Sequence, residues 1–90
     1  MLFYPDKSTI NHKVSPKVSV IAGLNTEGFT KSIRVDNATD GVVKLGFDSP
    51  PHVRLYAGAV ETFAMPPDVK DLNLSGEEVG VVYITPGRMI

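Results

Sequence analysis

The sequence predicts an all-β fold, a small antiparallel β-sandwich or barrel of the immunoglobulin-like or jelly-roll-like kind. Runs of branched and aromatic residues recur about every 8–12 residues, which is the strand spacing of sandwiches and small barrels. Gly, Pro, Asn and Asp separate these runs, and all four residue types favour turns. No window of about a dozen residues combines a helical period with a capping signal, so helices are not expected.

The N-terminal segment differs from the rest of the chain, because residues 1–17 show no sustained periodicity. They predict an extended N-terminal arm, which is followed by a single β-sandwich domain over residues 18–90. The tip of the arm, Leu2-Phe3-Tyr4, is apolar. Three arrangements of this tip remain open: packing into the chain's own core, docking on a neighbouring subunit, or disorder.

The first strand candidates lie in the first half of the predicted domain. Residues 18–22 form a short β-prone run that ends at a glycine. Residues 32–47 predict a β-hairpin, because two alternating apolar and polar runs flank a turn-forming stretch that ends in Asp40-Gly41. Pro50-Pro51 ends this unit, since proline lacks the backbone donor that a central strand needs.

Four further strand candidates follow, at residues 53–56, 59–65, 69–74 and 79–85. The last is the most β-prone run in the chain, since it is rich in branched and aromatic residues. Glu61 stands in the middle of the second. On a solvent-facing side of the sheet it is an ordinary polar residue, whereas on an edge strand it would oppose unwanted strand pairing.

Charge and composition exclude several classes of function. Nine basic and ten acidic residues give a net charge of -1, and the basic residues are scattered, so neither nucleic acid nor a membrane is an expected partner. No stretch approaches the ~20 apolar residues of a membrane-spanning helix, and the first residues do not form a signal peptide. The chain has no cysteine, which excludes disulfides and thiolate chemistry and fits folding in a reducing cytoplasm.

No residue pattern predicts catalysis, a metal site or a cofactor. His12 and His52 stand far apart in the sequence and lack the spacing of metal ligands. Asp36, Asp40 and Asp48 lack the alternate oxygen donors and the closing glutamate of a calcium loop. The chain also has no Gly-x-Ser-x-Gly turn and no glycine-rich phosphate loop. We therefore expect a protein that is not an enzyme and that carries no cofactor.

Three segments resemble small virion structural proteins of tailed bacteriophages. Residues 32–39 are similar to a strand and turn of that group, and residues 56–67 resemble its "PAG-x-E-x-F-x-(small/apolar)-P" signature. Residues 81–90 are similar to its "V-x-V-T-P-G-x-G-I" ending. The resemblance covers residues 32–90 and does not extend to the N-terminal third.

The resemblance implies a protein of the phage particle, of the capsid decoration (cement) or head-completion type. Such a protein is located in the virion, which is assembled in the host cytoplasm, and its partner is the major capsid protein or another virion protein. Tyr56 stands where the family pattern has Pro, and Met89 stands where it has Gly. Both departures leave the strand pattern intact.

The two ends of the chain are the predicted partner interface. Without the arm the compact part has only about 70 residues, and a core of that size supplies little stability, so a homo-oligomer is expected. Both ends are apolar: Met89 and Ile90, like the tip of the arm, either pack within the domain or contact another protein. The predicted interface residues are Leu2, Phe3, Tyr4, Arg88, Met89 and Ile90.

A second hypothesis is a carbohydrate- or receptor-binding module of a phage fibre or surface protein. Sugar sites favour exposed aromatic side chains with polar groups beside them. The chain has no Trp, and its only tyrosines are Tyr4, Tyr56 and Tyr83. The aromatic side chains available for such a site are therefore few.

Overall fold

The computed structural model of the protein describes residues 2–24 and 31–90. These residues form two antiparallel β-sheets that pack face to face, so the predicted all-β sandwich is confirmed. They contain no helix, and hence none that is long and apolar enough to cross a membrane. The nine strands are β1 (Phe3–Pro5), β2 (Ile10–Val14), β3 (Ser19–Ala22), β4 (Ser32–Asn37), β5 (Val43–Phe47), β6 (Val53–Leu55), β7 (Val60–Ala64), β8 (Asp71–Gly76) and β9 (Gly80–Met89).

The strand order is that of a jelly roll. Sheet I has the order β1–β9–β4–β7, and β2 also pairs with β9, on the line of β1. Sheet II has the order β3–β8–β5–β6. The antiparallel pairs are nested in the sequence, with each pair enclosing the next: β2 pairs with β9, β3 with β8, β4 with β7 and β5 with β6. An eight-stranded ribbon rolled into two sheets gives this order.

One core lies between the two sheets. Every second residue of the central strands points into it, as the two-residue period of a strand requires. The branched side chains of β4 and β9 in sheet I meet those of β5 and β8 in sheet II. The fully buried members of these four strands are Ile33, Val35, Val43, Leu45, Leu72, Leu74, Val82 and Ile84.

The predicted hairpin over residues 32–47 is wrong. Both of its strands exist, but β4 belongs to sheet I and β5 to sheet II, so the connection crosses from one sheet to the other. Buried Asn37 holds this crossover: its Nδ2 donates to the carbonyl oxygens of Gly41 and Leu55, both at 2.9 Å. Its Oδ1 accepts from the backbone N–H of Thr39 at 3.0 Å. These side-chain bonds replace the tight hairpin turn.

Within residues 2–17, which fall in the predicted arm, two segments form strands of sheet I. Residues 3–5 pair with the end of β9, and residues 10–14 pair with its beginning. Val14 lies in the core, where it is 1% exposed. The inward-facing positions of β2 include a histidine between Ile10 and Val14, which obscures the apolar alternation in the sequence.

Candidate partner interface

The two ends of the chain meet in one antiparallel ribbon at one end of sheet I. Phe3 lies opposite Met89, and Tyr4 lies opposite Arg88. The backbone N–H of Leu2 donates to the carbonyl oxygen of Ile90 at 2.7 Å, and the reverse bond is 2.8 Å. The structure thus brings all six predicted interface residues together, and we call residues 2–4 and 88–90 the terminal ribbon. Their binding of a partner stays a prediction.

One face of the terminal ribbon is open and mainly apolar. Leu2, Tyr4 and Ile90 are 73%, 52% and 63% exposed. By strand alternation, Arg88 and Ile90 lie on the same side of β9 as the fully buried Ile84. The ribbon therefore continues the core-facing side of sheet I to a place where sheet II does not cover it.

The opposite face of the terminal ribbon is packed more closely against sheet I. The Arg34 guanidinium lies 4.7 Å from the centroid of the Phe3 ring, a cation–π geometry. Gly87 permits the close approach of β1, because a Cβ there would meet the Tyr4 carbonyl oxygen and, at 2.6 Å, the Phe3 ring. Phe3 is accordingly half-buried and serves to attach the ribbon.

Arg88 links the open face to the segment that follows β1. Its guanidinium carbon lies 5.4 Å from the Tyr4 ring centroid, and its Nε lies 3.6 Å from Asp6 Oδ1. The Arg88 side chain is 53% exposed, so this ion pair contributes little stability. The two contacts place the Arg88 guanidinium beside an exposed aromatic ring.

No family model, curated protein or solved structure matches this chain. The jelly-roll order is therefore established by the strand pairing itself. The resemblance to virion proteins rests only on the sequence segments 32–39, 56–67 and 81–90.

The two histidines lie in different parts of the sandwich. His12 is on β2, and its Nε2 lies 2.8 Å from Ser19 Oγ, which joins β2 to β3 across one side of the molecule. Burial lowers the pKa of His12. His52 precedes β6 on the opposite side, and its Nδ1 lies 2.9 Å from the carbonyl oxygen of Pro50. Across residues 2–24 and 31–90, no three His, Asp or Glu side chains are placed to hold a metal ion.

The three aspartates considered for a calcium loop do not share a site. Asp48 accepts from the backbone N–H groups of Lys70 and Asp71 at 2.8–3.2 Å, so its carboxylate ties two loops of sheet II together. Asp36 lies on the outer face of β4, while Asp40 is exposed in the crossover between the sheets. Each of the three thus has a separate environment.

Sequence reasoning missed the residues that support the terminal ribbon. Arg34, Gly87 and Asp6 position the predicted residues, and none was singled out as part of the interface. The strand candidate at residues 79–85 ends too early, because β9 runs through Pro86 and Gly87 to Met89 in the structure.

Proposed function

We propose that this chain is a structural protein of a tailed-phage particle, which binds the major capsid protein or another virion protein through the terminal ribbon. The role is that of a decoration (cement) or head-completion protein, without catalysis and without a cofactor. The observation that carries the proposal is the convergence of both apolar chain ends into one exposed ribbon.

The chemistry of the terminal ribbon favours a protein partner. Contiguous exposed apolar surface is characteristic of interaction sites. Leu2 and Ile90 supply apolar area, while Tyr4 and Arg88 are of the residue types that contribute most binding free energy at protein interfaces. Within the ribbon Arg88 is the only charged residue, and it is paired with Asp6, so a mainly apolar partner surface fits best.

The assignment to a virion is supported by the sequence resemblance over residues 32–90. The jelly roll agrees with it, because viral capsid domains use this architecture. Lectin domains use it as well, so the fold by itself does not choose between the two hypotheses. On a capsid lattice, a protein that contacts several subunits at once gains avidity, because each further contact forms at a high effective concentration.

The direct test is co-sedimentation of the purified chain with phage particles. Removing the whole N-terminal segment would also remove Val14 from the core, so point substitutions in the ribbon are the cleaner change. We expect Tyr4→Ala combined with Ile90→Asp to weaken particle binding by about tenfold or more, since the first removes an exposed tyrosine and the second places a charge on the apolar surface. The melting temperature should change little.

The matched control is Val79→Asp, which alters an equally apolar and even more exposed side chain (75%) in the turn before β9. This variant should bind particles like the wild type. Equal particle binding by the ribbon variant and the wild type would refute the terminal ribbon as the binding surface.

The carbohydrate- or receptor-binding hypothesis is favoured by one observation. Tyr56 is 65% exposed beside the turn between β6 and β7, where Gly58 has a φ of 76°. An exposed ring at a turn is a suitable platform for a sugar. Glycan-array binding that is lost in Tyr56→Ala, together with unchanged particle binding in the ribbon variant, would replace the first proposal by this one.

A further inference from the structure

Among the described residues, each sheet ends in edge strands with unpaired backbone groups, and most of these edges carry a feature that opposes pairing. At β7 the feature is Glu61. It lies opposite Val35, which is fully buried, so its carboxylate is on the core-facing side of the sheet at an exposed position. A strand added beside β7 would bring its own apolar side chains against this charge.

The edges formed by β6, β1 and β2 are blocked in other ways. The three-residue strand β6 has Arg54 at its centre and follows Pro51. Pro5 in β1 has no backbone N–H to donate. Lys13 in β2 is charged and exposed, and edge lysines are a common barrier to strand addition.

The edge at β3 has none of these features. The strand contains neither proline nor a charged residue, and the same is true of the whole stretch 18–24. The Gly23 N–H donates to the Lys70 carbonyl oxygen at 2.9 Å. This bond shows which residues of β3 direct their backbone N–H and C=O groups toward β8 and which direct them outward. Ile21 thus bonds to β8, and Val20 and Ala22 direct their N–H and C=O groups away from the sheet.

Apolar surface accompanies these outward-directed groups. Val20 is 51% exposed on the outer face of sheet II. On the inner face, half-buried Ile21 borders an open groove of about 300 Å³ whose lining also includes Ile10, Leu24 and Pro86. A strand placed beside β3 would cover both surfaces.

We infer that β3 pairs antiparallel with β3 of a second copy of this chain, about a twofold axis at Ile21. In this register Val20 of each copy lies opposite Ala22 of the other. The outward-directed groups of these two residues then form four inter-chain hydrogen bonds. The two four-stranded sheets become one eight-stranded sheet.

A second copy fits this edge because the stretch is complementary to itself. The Ile21 side chains of the two copies meet across the twofold axis as a non-hydrogen-bonded pair, in which side chains approach most closely. Within the paired stretch no like charges are brought together, since residues 18–24 are uncharged. One short strand from each copy makes a small interface, so the dimer is reversible and depends on concentration.

The first test measures association by sedimentation velocity from about 10 µM to about 1 mM chain, the range that covers weak complexes. The variant is Val20→Pro, which deletes an outward donor and leaves the hydrogen bonds to β8 intact. Its control is Val60→Pro on the edge strand β7, where the exposed fraction is also 51%. We expect dimers of the wild type and of Val60→Pro, and association of Val20→Pro weakened by about tenfold or more.

The second test uses the absence of cysteine from the chain. Cα atoms of a non-hydrogen-bonded pair lie about 4.5 Å apart, within the range of a disulfide. Ile21→Cys should therefore form a covalent dimer under mild oxidation, and Thr62→Cys on β7 should remain a monomer. A monomeric wild type at about 1 mM, or equal cross-linking of the two cysteine variants, would overturn the inference. The terminal ribbon is unchanged in these variants, so particle binding tests the proposed function separately.

Discussion

Gly87 and Arg34 show how single residues attach the N-terminal strand. Gly87 leaves room for the Tyr4 backbone, and Arg34 covers the Phe3 ring at 4.7 Å. Neither contact follows from local sequence pattern, because each joins segments that are distant in the chain. The apolar character of the two ends led to the choice of these segments, while their register against each other required the structure.

His12 makes the stability of the protein depend on pH. Burial holds its pKa below the ordinary value of 6.5 in the folded state. The unfolded chain therefore binds the proton more tightly, and the free energy of unfolding falls as the pH decreases below 6.5. We expect the urea midpoint to fall between about pH 7.5 and about pH 5.5 in the wild type.

The matched variant for this measurement is His12→Gln, which retains a polar group near Ser19 and does not titrate. Its midpoint should change less over the same range, and the difference between the two chains isolates the histidine from other titrating groups. The same pH dependence in both would show that His12 has no role in it.

At the scale of elements, the strands after residue 18 were predictable, whereas β1, β2 and the pairing of the strands were not. The two alternating runs predicted within residues 32–47 correspond to β4 and β5. The Asp40-Gly41 pair then indicated a hairpin. In the structure the Asn37 side chain instead bonds to the backbone of the crossover, and turn propensities do not reveal such a contact. Strand order depends on contacts distant in sequence, so it could not be derived from these local signals.

Glu61 gives an element-scale prediction about the exposed edge of β7. Substitution by Val would remove the charge on the core-facing side and leave an uncharged five-residue edge. We expect Glu61→Val to form larger assemblies in dynamic light scattering, since uncharged exposed edges pair with one another. Glu78→Val, which removes an exposed carboxylate from the turn before β9, should scatter like the wild type. Equal scattering by both variants would contradict this role.

At the scale of the whole molecule, Asn37 joins the two sheets. It ends β4 in sheet I, and its amide reaches the crossover and the backbone of Leu55 in sheet II. Because Asn37 is fully buried, Asn37→Ala would leave several polar groups without partners and should cost about 2–4 kcal/mol of unfolding free energy.

Urea denaturation measures this cost. Asn11→Ala, which changes an exposed position of β2, is the control and should shift the free energy of unfolding by less than about 0.5 kcal/mol. Similar losses in both variants would show that the link between the sheets depends on packing rather than on the Asn37 amide.

The nested pairing has a consequence for the order in which the chain folds. The β5–β6 pair closes a short loop, and each pair outside it closes a longer one, until β2 meets β9. Once an inner pair has formed, the remaining closure is shorter and its entropic cost is smaller. This favours folding that starts at the β5–β6 pair and adds the outer pairs in turn. The terminal ribbon, which we propose as the binding surface, then forms last.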